Sequence, residues 1–200
     1  IKSSAASDVY KRQLLAGVML ASAFSVNAAM ENGKSYLLKS GSSYLSAETD
    51  KTSADYGKLV YGSLNTSDLS EVVAGTWKVS TKTTSGAVVY TFVNKVTGMT
   101  LAVDPTLAKT ATNGLSGDVT LGSGTVSEWA FDASNHMYSY FKSDSIVFFD
   151  NTGALNKGKI ADLSAALAVT EDVISTPIPI SADDLNTCLL YTSDAADDLI

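Results

Sequence analysis

Short runs rich in valine, threonine and aromatic residues dominate this sequence from residue 33 onward, and clusters of Gly, Ser, Asn and Asp separate them. Runs and separators of this kind are typical of β-strands and the turns between them. In Tyr90–Asn94, Tyr90 and Phe92 lie two residues apart and therefore share one buried face. We predict an all-β fold with strands at Tyr36–Lys39, Tyr44–Ala47, Lys58–Tyr61, Thr76–Ser80, Val88–Asn94, Thr100–Val103, Glu128–Phe131, Met137–Lys142 and Ile146–Phe149.

An internal repeat organises these strands. Trp77-Lys78-Val79 recurs 52 residues later as Trp129-Ala130-Phe131, and an aromatic strand follows each copy. A third unit begins at Tyr36–Lys39, although no third Trp stands at the position where the repeat would place it. Three units of about fifty residues, each a set of short strands, predict a β-trefoil-like domain or a related small β-barrel over residues 29–175.

The motif from Trp77 through Tyr90–Val103 resembles the ricin-type β-trefoil repeat in the placing of its Trp and its T-G-x-x-L turn. The leader, Gly33–Leu38 and Tyr90–Val103 together resemble exported repeat-module proteins of gut Bacteroidales with an uncharacterised C-terminal domain. The second resemblance covers residues 14–187. It implies a cell-surface or secreted protein and no known activity.

Both ends of the chain resemble translated sequencing adapter. Ser3–Gln13 and Cys188–Asp198 can be encoded by one DNA duplex read on opposite strands. We therefore expect residues 1–13 and 188–200 to be artefact and exclude them from the reasoning about fold. Because Cys188 is the only cysteine, the remaining chain offers no disulfide and no thiol nucleophile.

Leu14–Phe24 is an apolar run that is too short to span a bilayer, which needs about 20 residues. With Val26 and Ala28 as small residues before a cleavage point, residues 14–28 are typical of a signal-peptide helix that lacks its basic n-region. We expect export to the periplasm, the cell surface or the medium, and no membrane insertion after cleavage behind Ala28.

The C-terminal part changes in character. Ile160–Ser175 is rich in Ala and Leu and is either a helix or a divergent third repeat. Pro177 and Pro179 then indicate a linker or an edge strand. We expect residues 176–187 to form this linker and the start of a further module.

Residues 29–187 carry 11 Lys+Arg against 17 Asp+Glu, which gives this segment an acidic net charge. An acidic chain without basic clusters argues against nucleic acid as a partner, because such binding depends on neutralising phosphates. It argues equally against an anionic membrane surface.

The sequence offers little catalytic chemistry. His136 is the only histidine, and in a turn before a predicted strand we expect it to be a surface residue. Zinc needs about four ligands, mostly His and Cys, and no D-x-[DN]-x-[DN]-G calcium loop occurs. Ser139–Lys142 matches S-x-x-K, but the match lies in a predicted strand and lacks its partner motifs. We therefore predict no enzyme, no metal and no cofactor.

Ricin-type modules place a sugar-binding Asp where this chain has Ser46, Ala102 and Phe148, so the resemblance does not carry that pocket over. Trp77 and Trp129 are then expected to be core residues. The candidate ligand-binding residues are Tyr56, Tyr61, Asp104 and Asp150, which are aromatic or lie at strand ends. The favoured interpretation is a non-enzymatic binding or adhesion module for a glycan or a surface protein. The alternatives are a structural spacer of a larger surface protein and an accessory domain of an enzyme encoded downstream.

Overall fold

A computed structural model describes residues 30–84, 86–110 and 118–172. The adapter-like ends, the predicted signal peptide and the 176–187 linker lie outside these residues. The strands are β1 Ser35–Ser40, β2 Ser43–Ala47, β3 Leu59–Gly62, β4 Thr76–Thr84, β5 Ala87–Asn94, β6 Ala130–Phe131, β7 Met137–Lys142, β8 Ser145–Phe149, β9 Leu155–Gly158 and β10 Thr170–Asp172. Helix α1 spans Leu69–Ala74, and a 3₁₀ helix spans Ile160–Ala165. The predicted all-β class is confirmed.

The strands form two antiparallel sheets, ordered β3-β2-β1-β4-β5 and β6-β7-β8-β9, with β10 added to the free side of β1. Tyr90 and Trp129 join the sheets by reciprocal backbone hydrogen bonds of 2.8 Å. Met137 N donates to Leu167 O at 3.0 Å, so the segment before β10 lies beside β7. Pairing therefore runs from β1 through β4, β5, β6 and β7 to the segment 166–172 and back to β1.

Two hairpins, β2–β3 and β8–β9, extend from this circuit of pairings. Between them in sequence, the predicted strand at Thr100–Val103 is wrong. Thr100 and Val103 make only single bridges, to Val93 and Val126, because no continuous partner strand faces them among the described residues. Gly124 packs directly on the Val103 backbone, where a Cβ would collide.

Trp77 and Trp129 are fully buried, as predicted. Each indole Nε1 donates to a backbone carbonyl from earlier in the chain, to Leu45 O at 2.8 Å and to Leu101 O at 2.9 Å respectively. Leu167 occupies the place of Trp129 in the third unit, since Met137 N donates to Leu167 O at 3.0 Å as Tyr90 N donates to Trp129 O at 2.8 Å. Ile160–Ser175 is thus not one helix, since its described part is the 3₁₀ helix followed by β10.

A second, smaller apolar cluster lies on the opposite face of β7 and β8. Leu163 of the 3₁₀ helix covers it. The helix begins with the Asp162 carboxylate accepting from Lys159 N at 2.7 Å. The cluster consists of Ala130, Tyr138, Ile146, Phe148, Leu163 and Ala166.

Helix α1 was not predicted. Asp68 caps its N-terminus by accepting from Ser70 N at 2.9 Å, and this use of Asp is a common start signal for a helix. The predicted strand Glu128–Phe131 is shorter than expected, because only Ala130 and Phe131 pair continuously with β7. Neither helix in the described part of the chain is long and apolar enough to cross a membrane.

Candidate ligand-binding groove

An open groove of about 430 Å³ lies where the residues before β6 run beside β7. Its walls come from three separate stretches of sequence: the turn after Val103, the segment leading to Trp129, and the second half of β7. The lining residues are Pro105, Thr125, Val126, Ser127, Glu128, Ser139, Tyr140 and Phe141.

The groove results from a difference between two repeat units, because the segments before Trp77 and before Trp129 have different structures. Before Trp77 the chain forms α1. Asn94 Nδ2 donates to the carbonyl of Ala74 at 2.8 Å, and this bond joins the end of α1 to the end of β5. Before Trp129, residues 118–128 contain no helix in the structure, and Val126 instead bridges to Val103. The stretch 125–128 is therefore open to solvent along one side.

Two consecutive aromatic residues of β7 line the groove, and they pack on opposite faces of the strand, Tyr140 on the smaller apolar cluster and Phe141 on the main core. Tyr140 and Phe141 are both half-buried. The Tyr138 and Tyr140 rings meet edge to face, with centroids 5.5 Å apart. Burial, together with the neighbouring Tyr138, raises the pKa of Tyr140 to about 12, so its hydroxyl stays a neutral donor and acceptor. Lys157 Nζ lies 5.9 Å from the centre of the Phe141 ring.

The opposite wall is polar. Ser139 Oγ donates to the carbonyl of Glu128, which ties β7 to this wall. The Glu128 carboxylate lies 3.3 Å from Lys82 Nζ, and both side chains are more than half exposed. An ion pair this exposed contributes little stability, so the carboxylate can exchange its partner at low cost.

Asp104 precedes the groove residue Pro105, and its Oδ1 accepts from Thr106 N at 2.8 Å. Hydrogen bonds from the Thr106 backbone and side chain lower the pKa of Asp104. Asp150 holds its own turn in the same way, accepting from Thr152 N at 2.9 Å. Glu48, at the matching place in the first unit, accepts from Asp50 N at 2.9 Å. The structure thus gives Asp104 and Asp150 a turn-capping role that repeats in all three units.

The predicted site residues are not brought together in one place. Tyr56 lies half-buried in the turn before β3, where its N–H donates to Ser53 O at 3.2 Å. Tyr61 lies on β3, and Gly153 packs against it so closely that a Cβ there would stand 2.5 Å from Tyr61 Cβ. Tyr61 therefore neighbours the turn that Asp150 caps, and Asp104 borders the groove.

His136 is not the free surface residue that the sequence predicted. Its Nδ1 lies 2.8 Å from Asp132 Oδ2, and the side chain is only 20% exposed. Asp132 Oδ1 also accepts from the N–H groups of Ser134 and His136, so this carboxylate organises the turn between β6 and β7. Among the described residues, no three His, Cys, Asp or Glu side chains gather in a way that could hold a metal ion.

The groove residues Glu128, Tyr140 and Phe141 were not predicted as site residues. Their sequence signal was present but ambiguous, because an aromatic strand and a carboxylate at a strand end are equally typical of core and surface. No protein-family model matches this sequence, and no curated protein is significantly similar to it. The interpretation of function therefore depends on the groove itself.

Proposed function

We propose that this chain is an exported, non-enzymatic binding module that holds a saccharide in the groove between the segment 125–128 and β7. The observation that carries the proposal is an open groove lined both by half-buried aromatic residues, Tyr140 and Phe141, and by the exposed residue Glu128.

Saccharides present apolar C–H faces and polar hydroxyl edges. An aromatic ring provides a flat apolar surface for the first, and fixed donors and acceptors orient the second. The ring of Tyr140 or that of Phe141 suits the apolar face, while Glu128 and Ser127 supply polar groups. The exposed ion pair to Lys82 leaves Glu128 able to accept hydrogen bonds from a ligand hydroxyl.

For the scaffold we propose the β-trefoil arrangement. Its support is the closed circuit of six antiparallel segments and the equivalent positions of Trp77, Trp129 and Leu167, which pair with Tyr36, Tyr90 and Met137 respectively. In such a scaffold the three units are related, and we place the ligand where one unit differs from the others. The segment before Trp129 is such a place, because residues 118–128 contain no helix.

A glycan array, followed by titration calorimetry on any sugar that binds, tests the proposal. We expect Tyr140→Ala and Glu128→Gln each to weaken binding by about tenfold or more, as loss of a central contact does. Tyr56→Ala changes an aromatic residue outside the groove and serves as the matched control. Absence of glycan binding by the unaltered chain, or equal loss in the control, overturns the saccharide assignment; a structural spacer would give the first result.

A further inference from the structure

Glu128 is the one charged residue among the described residues that line the groove. Its side chain is 53% exposed, so the carboxylate is open to a ligand. Tyr140 adds no second charge, because burial together with Tyr138 raises its pKa to about 12. A charged group of a ligand in this groove therefore meets an anion.

The partner of this carboxylate is a lysine that stands outside the lining of the groove. Lys82 lies on β4, and its Nζ is 3.3 Å from Glu128 Oε1. Its side chain is 65% exposed, and Nζ makes no other hydrogen bond to the described residues. An exposed pair of this kind contributes little stability, and the lysine stem is flexible. Lys82 Nζ can therefore return to water when another cation approaches Glu128.

Two further features beside the groove favour a cation. Asp104 directly precedes the lining residue Pro105, and hydrogen bonds from Thr106 lower its pKa, so this carboxylate is an anion at neutral pH. At the other side, Lys157 Nζ lies 5.9 Å from the centre of the Phe141 ring, an arrangement in which the ring attracts an ammonium group. The carboxylate and an aromatic ring of the groove are thus each already in contact with an ammonium group of the chain itself.

We propose that the saccharide held in this groove carries a free amino group, whose ammonium replaces Lys82 Nζ beside Glu128. The inference rests on the proposed saccharide binding and names the class of sugar. An acidic sugar would place its carboxylate near Glu128, and like charges in contact weaken a complex. A neutral sugar forms only neutral hydrogen bonds with its hydroxyl groups to Ser127, whereas an ammonium forms a stronger, charge-assisted bond with Glu128.

Titration calorimetry with two oligosaccharides of equal length tests the class of sugar. A glucosamine oligomer carries an ammonium on each ring, and an N-acetylglucosamine oligomer carries a neutral amide at the same position. We expect the glucosamine oligomer to bind about fivefold more tightly, which is the factor that one exposed ion pair can supply. Equal affinities, or a preference for the acetylated oligomer, overturn the inference.

Lys82→Gln tests the displacement itself. With the competing ammonium removed, the glucosamine oligomer should bind about twofold to fivefold more tightly, and the acetylated oligomer should bind as before. Lys78→Gln makes the same change of charge at an exposed position of β4 that has no ion pair to the described residues, and it should alter neither affinity. Unchanged or weaker binding of the glucosamine oligomer by Lys82→Gln overturns the proposal, since weaker binding would mean that Lys82 itself contacts an acidic or neutral ligand.

Glu128→Gln keeps the shape of the side chain and removes its charge. The ratio of the two affinities should then fall to about one, and a preference that survives contradicts the assigned role of Glu128. N-acetyl-lysine amide offers the same ammonium without a sugar ring and should not compete; equal competition overturns the assignment to an amino sugar. Binding of neither oligomer, nor of any other glycan, refutes the proposed function, whereas equal binding of both refutes only the preference for an amino sugar.

Discussion

The indole N–H groups of Trp77 and Trp129 donate to the backbone carbonyls of Leu45 and Leu101 respectively. Trp129→Phe keeps an aromatic ring in the core but leaves the Leu101 carbonyl without its donor. We expect a loss of about 1–3 kcal/mol in the free energy of unfolding, the usual cost of a buried unsatisfied group. Urea denaturation measures it, and Trp77→Phe is the matched comparison with a similar expected loss. A change below about 0.5 kcal/mol would contradict the assigned role of the hydrogen bond.

Asp150 makes the fold sensitive to acid. Burial alone would raise its pKa, but hydrogen bonds from Thr152, Asn156 and Ala154 outweigh this and leave the pKa below its usual value. Because the folded pKa is lower than the unfolded value of about 3.9, the carboxylate stabilises the fold above that pH, and the contribution disappears as the pH falls through the folded pKa. We expect Asp150→Asn to flatten the decline of the thermal midpoint below about pH 4. Glu31→Gln, at an exposed position, should follow the unaltered chain; identical acid profiles for all three proteins would refute the prediction.

At the scale of elements, α1 is a short helix that depends on its cap. It has only six residues, and Val72 is its buried anchor. Asp68→Ala removes the acceptor for Ser70 N and should lower the free energy of unfolding by about 1 kcal/mol. Asp68→Asn keeps a capping oxygen and should lose much less. Calorimetric unfolding compares the two variants, and equal losses would show that charge and not capping matters here.

The β8–β9 hairpin turns through Gly153, which has a φ of 80° and packs on Tyr61. Gly153→Ala combines backbone strain with a collision, so we expect a loss of about 1–3 kcal/mol in unfolding free energy. In the background of Tyr61→Gly the colliding Cβ is absent and only the strain is left. A smaller loss in that background is therefore expected, and an equal loss would rule out the packing contribution.

Strands in which buried and exposed side chains alternate strongly were predicted from the sequence. Strands that are defined only by their backbone pairing were not predicted. β5 carries Tyr90 and Phe92 on one face and was recognised from them. β9 reads Leu-Asn-Lys-Gly, in which only Leu155 is buried, so no periodic signal marks it. Thr100–Val103 has the composition of a strand but lacks a continuous partner.

The groove could not be predicted because its walls come from residues 105, 125–128 and 139–141. The bridge between Val103 and Val126 and the pairing of β6 with β7 bring them together. Sequence reasoning did place Trp77 and Trp129 in the core. It had no means of identifying Leu167 as the residue that takes the corresponding place in the third unit, since a leucine in an Ala- and Leu-rich segment carries no repeat signal.

At the scale of the molecule, the first and the last described strands lie side by side in one sheet. β10 pairs with β1, and the segment before it lies against β7 and β8. Leu167 and Val169 from that segment are buried in the main core. The two ends of the fold therefore depend on contacts between residues that are more than a hundred positions apart. Every strand of the circuit of pairings is needed to close it.

Truncation tests this dependence. A chain that ends at Lys159 loses Leu163, Leu167 and Val169 from the two apolar clusters and leaves one side of β1 unpaired. We expect it to lack a cooperative thermal transition and dispersed side-chain NMR signals, since a small domain tolerates little loss of core. A chain that ends at Asp172 keeps all these contacts and should unfold in one transition. If the shorter chain also unfolded cooperatively, the core would be held without residues 160–172, and this segment would be an appendage instead of the element that closes the fold.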